Sequence, residues 1–450
     1  MSAGPVTGGK GWPLHTKILL GLVVGAIIGL AANLTLGPTN GGVEWVNKYL
    51  ADPVGQIFLR LLFMIVMPLV FASIALGVAG LGDLRKVGRV GGKALGYFLA
   101  TTMMSATLGI LLVLAVRPGS RIDAALRTSL METYATNASG YVEAAAQSTF
   151  GIQTLVNIVT RNPVKSAVDM DMLGVIFFGI MFGAALTLIV AEKARPMIHW
   201  LEALEGVVIK IVEMAMRFAP WGVLGLIFGV TSRFGLELLL PLGNYVLVVL
   251  AGLLIHAVFT LSLLLRTLGG ISPRLFFSRI RPSIVTAFST SSSAATLPTN
   301  IAVAEQSLGI PSHIAGFVLP LGTTMCMNGT ALYEGITVIF LAQVFGVALS
   351  VPQMIIVMIM AVITAVGAAG VPGGSLPLLV GILAMFGVPG EGIALILGID
   401  RILDMSRTTV NVISDLTATT LVARAEGQWS VSQIPAVPMG AGRKLDESPA

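Results

Sequence analysis

Charged side chains stand close together in a strongly apolar stretch near the C-terminus. The stretch reads GIDRILDMSRTTVNVISD from Gly398 to Asp415 and contains three aspartates and two arginines. In lipid such groups are costly unless they face a cavity, a partner or a ligand. The stretch therefore predicts a site for a charged solute, with a buried ion-pair network that locks helices together as the alternative. In a helix the following side chains share an arc of about 100°: Asp400, Asp404, Arg407, Thr408, Asn411 and Asp415.

The residue types on this stripe suit an acidic amino acid. A planar guanidinium gives two parallel hydrogen bonds to a carboxylate and keeps its charge when desolvated, which suits Arg407 to a substrate carboxylate. An ammonium group needs a nearby anion, and Asp404 lies one helical turn before Arg407. Asp415, two turns beyond Arg407, suits a hard cation with oxygen ligands. A C4-dicarboxylate is the nearest rival, although Asp404 would repel a second acid without an amine, and a neutral amino acid would leave Arg407 unpaired.

The composition places this stripe in a membrane. The chain has 450 residues, of which 55% are hydrophobic and 11% charged, and its mean hydropathy of +0.91 lies outside the range of ordinary soluble domains. The predicted fold class is therefore an all-α multi-spanning membrane protein. The single cysteine, Cys326, excludes an intrachain disulfide. Apolar runs of membrane-spanning length lie at 18–32, 57–81, 94–116, 172–191, 206–230 and 238–265.

The basic residues indicate how the spans are oriented. Lys10 and Lys17 precede the first span, and further basic residues lie at 85–93, 193–195 and 274–281, whereas residues 33–53 are nearly free of them. The positive-inside rule then puts the N-terminus in the cytoplasm. We expect a multi-pass protein of the inner cell membrane whose C-terminus is also cytoplasmic. The net charge of +5 reflects this bias, and we find no nucleic-acid signature.

Three segments of the C-terminal third cannot form uninterrupted lipid-facing helices, because Gly and Pro leave backbone groups unpaired. The first two read AFSTSSSAATLPTN at 287–300 and VGAAGVPGGSLP at 366–377. They predict two re-entrant helical hairpins in inverted repeats around a midplane site, with surface loops as the alternative. The third reads PLGTTMCMNGT at 320–330, where an unwound stretch would expose carbonyl oxygens to a cation.

The order of these motifs carries a resemblance to a known family. A Ser-rich hairpin is followed by a broken helix ending in NGTALYE at 328–334, then by GVPG at 370–373, and last by the pattern Asp404-x-x-Arg407-Thr-x-x-Asn411-x-x-x-Asp415. In this order they resemble the glutamate/aspartate transporter family, the dicarboxylate/amino acid:cation symporters. The similarity of motifs covers about residues 95–425, and the N-terminal spans fit by pattern only.

The resemblance implies a secondary active transporter that carries an acidic amino acid with Na+ or H+ by an elevator-type mechanism. It implies eight transmembrane helices, two re-entrant hairpins and a homotrimer in the lipid bilayer. Residues 1–94 would be N-terminal spans, mainly scaffold, and 95–116 a third span in the transport domain. Residues 117–235 would hold an external loop and scaffold spans, 236–425 the transport-domain core, and 426–450 a disordered cytoplasmic tail.

The resemblance also implies roles for individual residues. Ser292 and Ser293 would receive the substrate α-carboxylate, Asp404 the α-amino group and Arg407 the side-chain carboxylate. Further substrate contacts would come from Thr330, Val371, Ser375, Thr408 and Asn411. One sodium ion would bind Asp415, Asn411 and backbone around Gly322, and a second would bind backbone near Thr324, Ala365, Val366 and Ala368.

Several positions depart from the family pattern. The broken helix commonly reads Asn-Met-Asp-Gly-Thr, but here Cys326 and Asn328 replace the two ligands, which should weaken a third sodium site at Cys326, Thr101 and Thr102. Glu334 stands where proton-coupled relatives carry a proton, and a structural hydrogen bond is the equal alternative. Met405 and Ser291 stand where relatives often have a second arginine, so potassium counter-transport is not supported.

Functions of other classes fit the sequence less well. The four histidines are dispersed without metal-ligand spacing, and no motif places His or Lys beside the serine run. We therefore predict a protein that is not an enzyme. An ion channel remains the alternative from a different class, because the same polar stripe could line a continuous pore.

Overall fold

The fold is described from a computed structural model. It describes residues 14–87, 89–122, 128, 159–168, 172–366, 368, 370, 373 and 375–435. Within these residues the regular structure is helical and contains no strand, which confirms the predicted all-α class. Residues 1–13, most of the predicted external loop and residues 436–450 lie outside this description.

In the N-terminal half the described residues form eight α-helices. The run predicted at 57–81 is wrong as a single helix, because the chain turns at Met64 and Ile65. Pro68 has no N–H to bond the carbonyl of Met64, so it sits in the first turn of a new helix instead. The helices are α1 (Leu14–Leu36), α2 (Gly41–Val46), α3 (Asp52–Phe63), α4 (Val66–Val87), α5 (Arg89–Val116), α6 (Pro163–Val168), α7 (Met172–Leu188) and α8 (Ala191–Ile255).

Nine further α-helices are described in the C-terminal half. They are α9 (Ser262–Leu264), α10 (Pro273–Arg279), α11 (Arg281–Thr290), α12 (Ser293–Ala302), α13 (Ser312–Met325), α14 (Asn328–Phe345), α15 (Val351–Val366), α16 (Leu376–Met385) and α17 (Ala394–Ala425). Wider π-helical turns flank α9, at His256–Leu261 and Leu265–Gly269.

Four helical stretches of the described chain are long and apolar enough to cross a membrane: Thr16–Leu36, Arg89–Ser120, Ala191–Gly269 and Ser312–Phe345. The third contains two of the predicted spans. Gly235 separates them, because its φ of 58° and ψ of −144° are not helical and suit a residue without a Cβ. Arg233, just before this break, forms a bidentate ion pair with Asp52 of α3. Its Nη1 lies 3.0 Å from Oδ1 and its Nη2 lies 2.6 Å from Oδ2.

The predicted breaks in the C-terminal half all occur. Ser291 adopts φ +52° between α11 and α12, and the Ser292 hydroxyl caps α12 by accepting from Ala295 N at 3.1 Å. The broken helix is interrupted at Cys326 and Met327, where ψ is 68° and 59°. The break predicted at 366–377 separates α15 from α16. Within it, the carbonyl of Gly370 accepts a hydrogen bond from the Ser292 hydroxyl at 2.7 Å. The two hairpin tips therefore touch each other.

Helix α14 forms the centre of this half. All but one of its side chains are buried, as expected of a helix that is apolar around its whole circumference. Helix α17 packs against α14 and also contacts α8, α11 and α13. The polar stripe of α17 is thus enclosed by protein, which removes it from lipid.

The first part of the C-terminal tail is packed, so the disorder predicted for residues 426–450 is wrong for 426–435. Glu426 bonds both Arg89 and Lys93, at 2.8 and 2.7 Å, and the Trp429 indole donates to the Leu308 carbonyl at 2.7 Å. The hydrogen bond from Arg89 lowers the pKa of Glu426 to about 2. The pair contributes its full stability above the ordinary carboxyl pKa, and this contribution is lost progressively as pH falls from there through about 2. The Glu426 carboxylate therefore stays ionised throughout the pH range of a transport assay.

Candidate substrate site

A small cavity lies between the two hairpin tips, the broken helix and α17. Seven of the nine predicted substrate contacts line this cavity. In the sequence these seven residues are spread over more than a hundred positions. Of the other two, Ser292 is engaged with Gly370 and Ala295, and Val371 lies outside the described residues. The lining residues are Ser293, Met327, Thr330, Ala368, Gly370, Ser375, Asp404, Arg407, Thr408 and Asn411.

Arg407 is the most tightly held side chain of the cavity. It is 2% exposed and pairs with Asp400 and Asp404, each at 2.8 Å. Its guanidinium also lies 4.3 Å from the ring centroid of Tyr333, within the range of a cation–π contact. A neutral amino acid would therefore not leave Arg407 without a partner, because two aspartates on its own helix neutralise it.

These ion pairs do not join one helix to another. Asp400, Arg401, Asp404 and Arg407 all belong to α17, and Arg401 also pairs with Asp404, at 3.4 Å. We call these four residues the charge cluster. Because each of these ion pairs lies within α17, the pairs themselves do not lock α17 to another helix, and Asp404 and Arg407 line the cavity wall.

Asn411 joins α17 to the broken helix. Its side-chain oxygen accepts from the backbone of Gly329 and Thr330, at 2.7 and 3.3 Å, and its amide donates to the Thr330 hydroxyl at 3.1 Å. These bonds satisfy N–H groups in the first turn of α14, which have no partner within that helix. Asn411 thus fixes the position of Thr330 as well as lining the cavity.

Asp415 has the features of a cation ligand. It is 1% exposed, and neither carboxylate oxygen has a hydrogen-bond partner within the described chain. A Cβ built on Gly322 would lie 2.7 Å from Asp415 Oδ1, so the carboxylate sits directly against the backbone of α13. A buried carboxylate without partners is strongly unfavourable, and a bound cation with further backbone oxygens would remove that cost.

The residues predicted around a second cation lie on two elements that approach each other. A Cβ on Gly370 would lie 3.3 Å from the carbonyl oxygen of Thr323, the neighbour of Thr324. Ala368 lines the cavity, and its N–H bonds the Ala365 carbonyl at 3.3 Å, next to Val366. The backbone predicted to bind the ion is therefore brought to one side of the cavity.

The position of the third sodium site holds a network of neutral groups. The Asn328 side-chain oxygen accepts from Thr102 at 2.7 Å, with Thr101 at 3.4 Å and the Cys326 sulfur at 3.8 Å. Its amide nitrogen lies 3.1 Å from His256 Nε2. Since the amide already satisfies its neighbours and brings no negative charge, this network offers little to a sodium ion.

We expect that restoring the family's ligands will recreate a sodium site here. The double variant Cys326→Asn with Asn328→Asp places an amide oxygen and a carboxylate beside Thr101 and Thr102. Aspartate affinity should then depend more steeply on sodium concentration. Binding titrations at several sodium concentrations measure this slope, with Cys326→Asn alone as the control that lacks the anion. An unchanged slope in the double variant would contradict the assignment.

Glu334 is fully buried on α14, and its contacts favour a protonated carboxyl. Thr364 Oγ1 lies 2.6 Å from Glu334 Oε2 and also 2.6 Å from the Met360 carbonyl oxygen. The hydroxyl has only one hydrogen, and the carbonyl can only accept. Both short contacts become hydrogen bonds if Glu334 donates to Thr364 and Thr364 donates to Met360.

Sequence reasoning missed three neighbours of the site. Asp400 was placed on the stripe without a role, yet it is a direct partner of Arg407. Tyr333 stacks on Arg407, and His256 faces Asn328 across 72 positions of sequence. The helical period of the stripe could have indicated Asp400, but no local pattern indicates contacts to Tyr333 or His256.

Comparison with known proteins adds independent information. A sequence profile of the sodium:dicarboxylate symporter family matches residues 14–425. The chain belongs to this family. It is 36% identical to the proton/sodium-glutamate symport protein of Bacillus caldotenax, over 94% of this chain and 96% of that protein. It is 35% identical to the proton/glutamate-aspartate symporter of Escherichia coli, over 92% and 93% of the two chains.

The family also includes a relative with a different named substrate. The C4-dicarboxylate transport protein of Bacillus subtilis is 31% identical over 92% of this chain and 94% of its own length. Membership of the sodium:dicarboxylate symporter family places the chain among membrane transporters, in agreement with the resemblance of its motifs. The cavity side chains must then indicate which acid this member carries.

Proposed function

We propose that this protein is a secondary active transporter that carries glutamate or aspartate together with Na+, H+ or both. The observation that carries the proposal is the cavity wall, where Asp404 and Arg407 stand side by side among hydroxyl groups of both hairpins and α14. An acidic amino acid presents one ammonium and two carboxylates, and this wall provides an anion, a guanidinium and hydroxyl donors.

The relatives support the same substrate class. One relative is named for glutamate and another for glutamate and aspartate. Both are more similar in sequence to this chain than the relative named for C4-dicarboxylates. A C4-dicarboxylate remains the second candidate, since the charge cluster neutralises Asp404 through Arg401 and Arg407 and so reduces its repulsion of an acid.

We further propose an elevator-type mechanism in a homotrimer of the inner membrane, with cytoplasmic termini. Residues 1–94 and 117–235 would provide most of the scaffold, and residues 95–116 and 236–425 the moving domain. Every described residue that lines the cavity belongs to residues 236–425, which supports a unit that moves as one body. The chain would then act as a transporter and not as an enzyme.

Uptake into proteoliposomes tests the function directly. Radiolabelled aspartate, glutamate and succinate are offered with an inward sodium gradient alone, a proton gradient alone, and both together. We expect aspartate or glutamate to accumulate above its external concentration. A channel would instead give currents without solute dependence and no accumulation. Accumulation of succinate alone would favour the second candidate.

We expect Glu334→Gln to abolish the part of uptake that a proton gradient drives. Glutamine keeps the shape and donates to Thr364 as a protonated carboxyl would, but it cannot release a proton. Exchange of internal for external substrate should continue, because neither half of that reaction requires proton release. Thr364→Val is the matched control, since it removes the hydrogen bond and leaves the carboxyl. Unchanged proton-driven uptake in Glu334→Gln would assign Glu334 a structural hydrogen bond instead.

A further inference from the structure

Arg401 lies on the opposite side of Asp404 from the substrate cavity. It lines a second small cavity together with Asp400 and Asp404. The facing wall is apolar and comes from α1, α3 and α8, through Ile18, Phe58, Met216, Ala219 and Val223. Asp404 is therefore the shared wall of two cavities, with Arg407 on one side and Arg401 on the other.

Arg401 has few partners for a buried cation. Its side chain is 7% exposed, its one ion pair is the 3.4 Å contact with Asp404, and its Nε has no hydrogen-bond partner within the described chain. Besides Arg401 and Asp404, Asp400 is the one charged residue among the described residues that line this cavity, and it is bonded to Arg407. A guanidinium that is loosely paired and borders open space can leave Asp404 without breaking any other ion pair.

The charge cluster is neutral as it stands, with two aspartates and two arginines. Without Arg401 it would hold one carboxylate more than it holds guanidinium groups. A buried charge without compensation is strongly unfavourable, so such a cluster would need another cation before it could pass an apolar surface. When substrate is bound, its ammonium and the coupling cations provide positive charge; when the site is empty, only the chain's own residues do.

We propose that Arg401 is the internal cation that holds Asp404 in the empty site and that the substrate ammonium displaces. This inference rests on the proposed transport function and adds a step to it. The empty site returns across the membrane with Asp404 paired to Arg401, and therefore without a counter-transported cation. Arg401 is a positioning residue, because it acts through Asp404 and does not line the substrate cavity.

The test compares net uptake with exchange in proteoliposomes. Net uptake requires the empty site to return, whereas exchange of internal for external aspartate does not. In Arg401→Met we expect net uptake to fall by about tenfold or more, because the cluster then holds one buried carboxylate more than guanidinium groups and Asp404 keeps only Arg407 as an ion-pair partner. Exchange should stay within about twofold of the wild-type rate, because the ammonium still pairs with Asp404. Methionine suits the apolar facing wall, so the fold should be kept.

Further variants make the result decisive. Arg401→Lys keeps the charge and should restore net uptake, and Arg401→Gln serves if the methionine variant does not fold. Arg266→Met removes an exposed arginine outside both cavities and should leave both rates unchanged. Parallel loss of net uptake and exchange, or loss of neither, would overturn the inference about Arg401. Absence of aspartate transport in the wild type would overturn the proposed function instead.

Discussion

Arg407→Cys is expected to abolish binding of aspartate and glutamate. The substrate carboxylate would lose two parallel charge-assisted hydrogen bonds, which should cost a few kcal/mol of binding free energy, on the order of a hundredfold or more in affinity. The shorter, neutral side chain also leaves space in the cavity beside Asp404, so small neutral amino acids should gain access. Calorimetric titration with aspartate, glutamate, serine and alanine measures both effects.

Loss of Arg407 also leaves two buried aspartates with fewer partners, so binding and folding must be separated. Asp400 keeps no ion pair in this variant, and Asp404 keeps only Arg401. The double variant Arg407→Cys with Asp400→Asn restores the charge balance of the cluster. We expect it to recover the melting temperature of the wild type and still to lose aspartate binding. Unchanged aspartate affinity in either folded variant would contradict the assignment of Arg407.

Asp404→Asn is expected to weaken binding of amino acids far more than binding of succinate or malate. The carboxylate pairs with an ammonium that only the amino acids possess, and loss of such a charged hydrogen bond is expected to cost about 1.5–3 kcal/mol. The hairpin contact should survive, because the asparagine oxygen can still accept from Gly373 N, which lies 3.1 Å from Asp404 Oδ2. Competition of each acid against labelled aspartate or succinate gives the two affinities.

Asp400→Asn is the matched control for this experiment. Asp400 lies on the same helix and pairs with the same arginine, but it does not line the substrate cavity. It should therefore change the affinities for amino acids and dicarboxylates by similar factors, through Arg407. If Asp404→Asn also weakened both classes equally, Asp404 would be a structural anion and the C4-dicarboxylate function would gain support.

The sequence by itself determined the features that depend on local periodicity and on backbone chemistry. Asp404, Arg407 and Asn411 follow the helical period, so their common face could be predicted without knowledge of the fold. The breaks at Ser291 and at Cys326 were predictable because hydroxyl, Gly and Pro runs cannot sustain an uninterrupted helix in lipid. The order of these motifs then indicated the family.

Only the tertiary structure decided which partners these side chains have. Arg407 has Asp400, Asp404 and Tyr333 within reach, and the period of α17 could not reveal that it is already neutralised by its own helix. Asn411 was predicted as a ligand, yet its oxygen is bonded to the first turn of α14. The reason is that a hydrogen bond requires approach within about 3 Å, and helix packing sets that approach between residues far apart in sequence.

The same limit applies to Asn328 and Arg401. The substitution at Asn328 could be seen in the motif, but its neighbour His256 is 72 residues away and meets it only through the packing of the π-helical turn on α14. Arg401 lies within the polar sequence, yet its position on the far side of Asp404 depends on the apolar wall of α1, α3 and α8. Sequence spacing orders residues around one helix axis, whereas the boundary between two cavities is created by the helices that surround it.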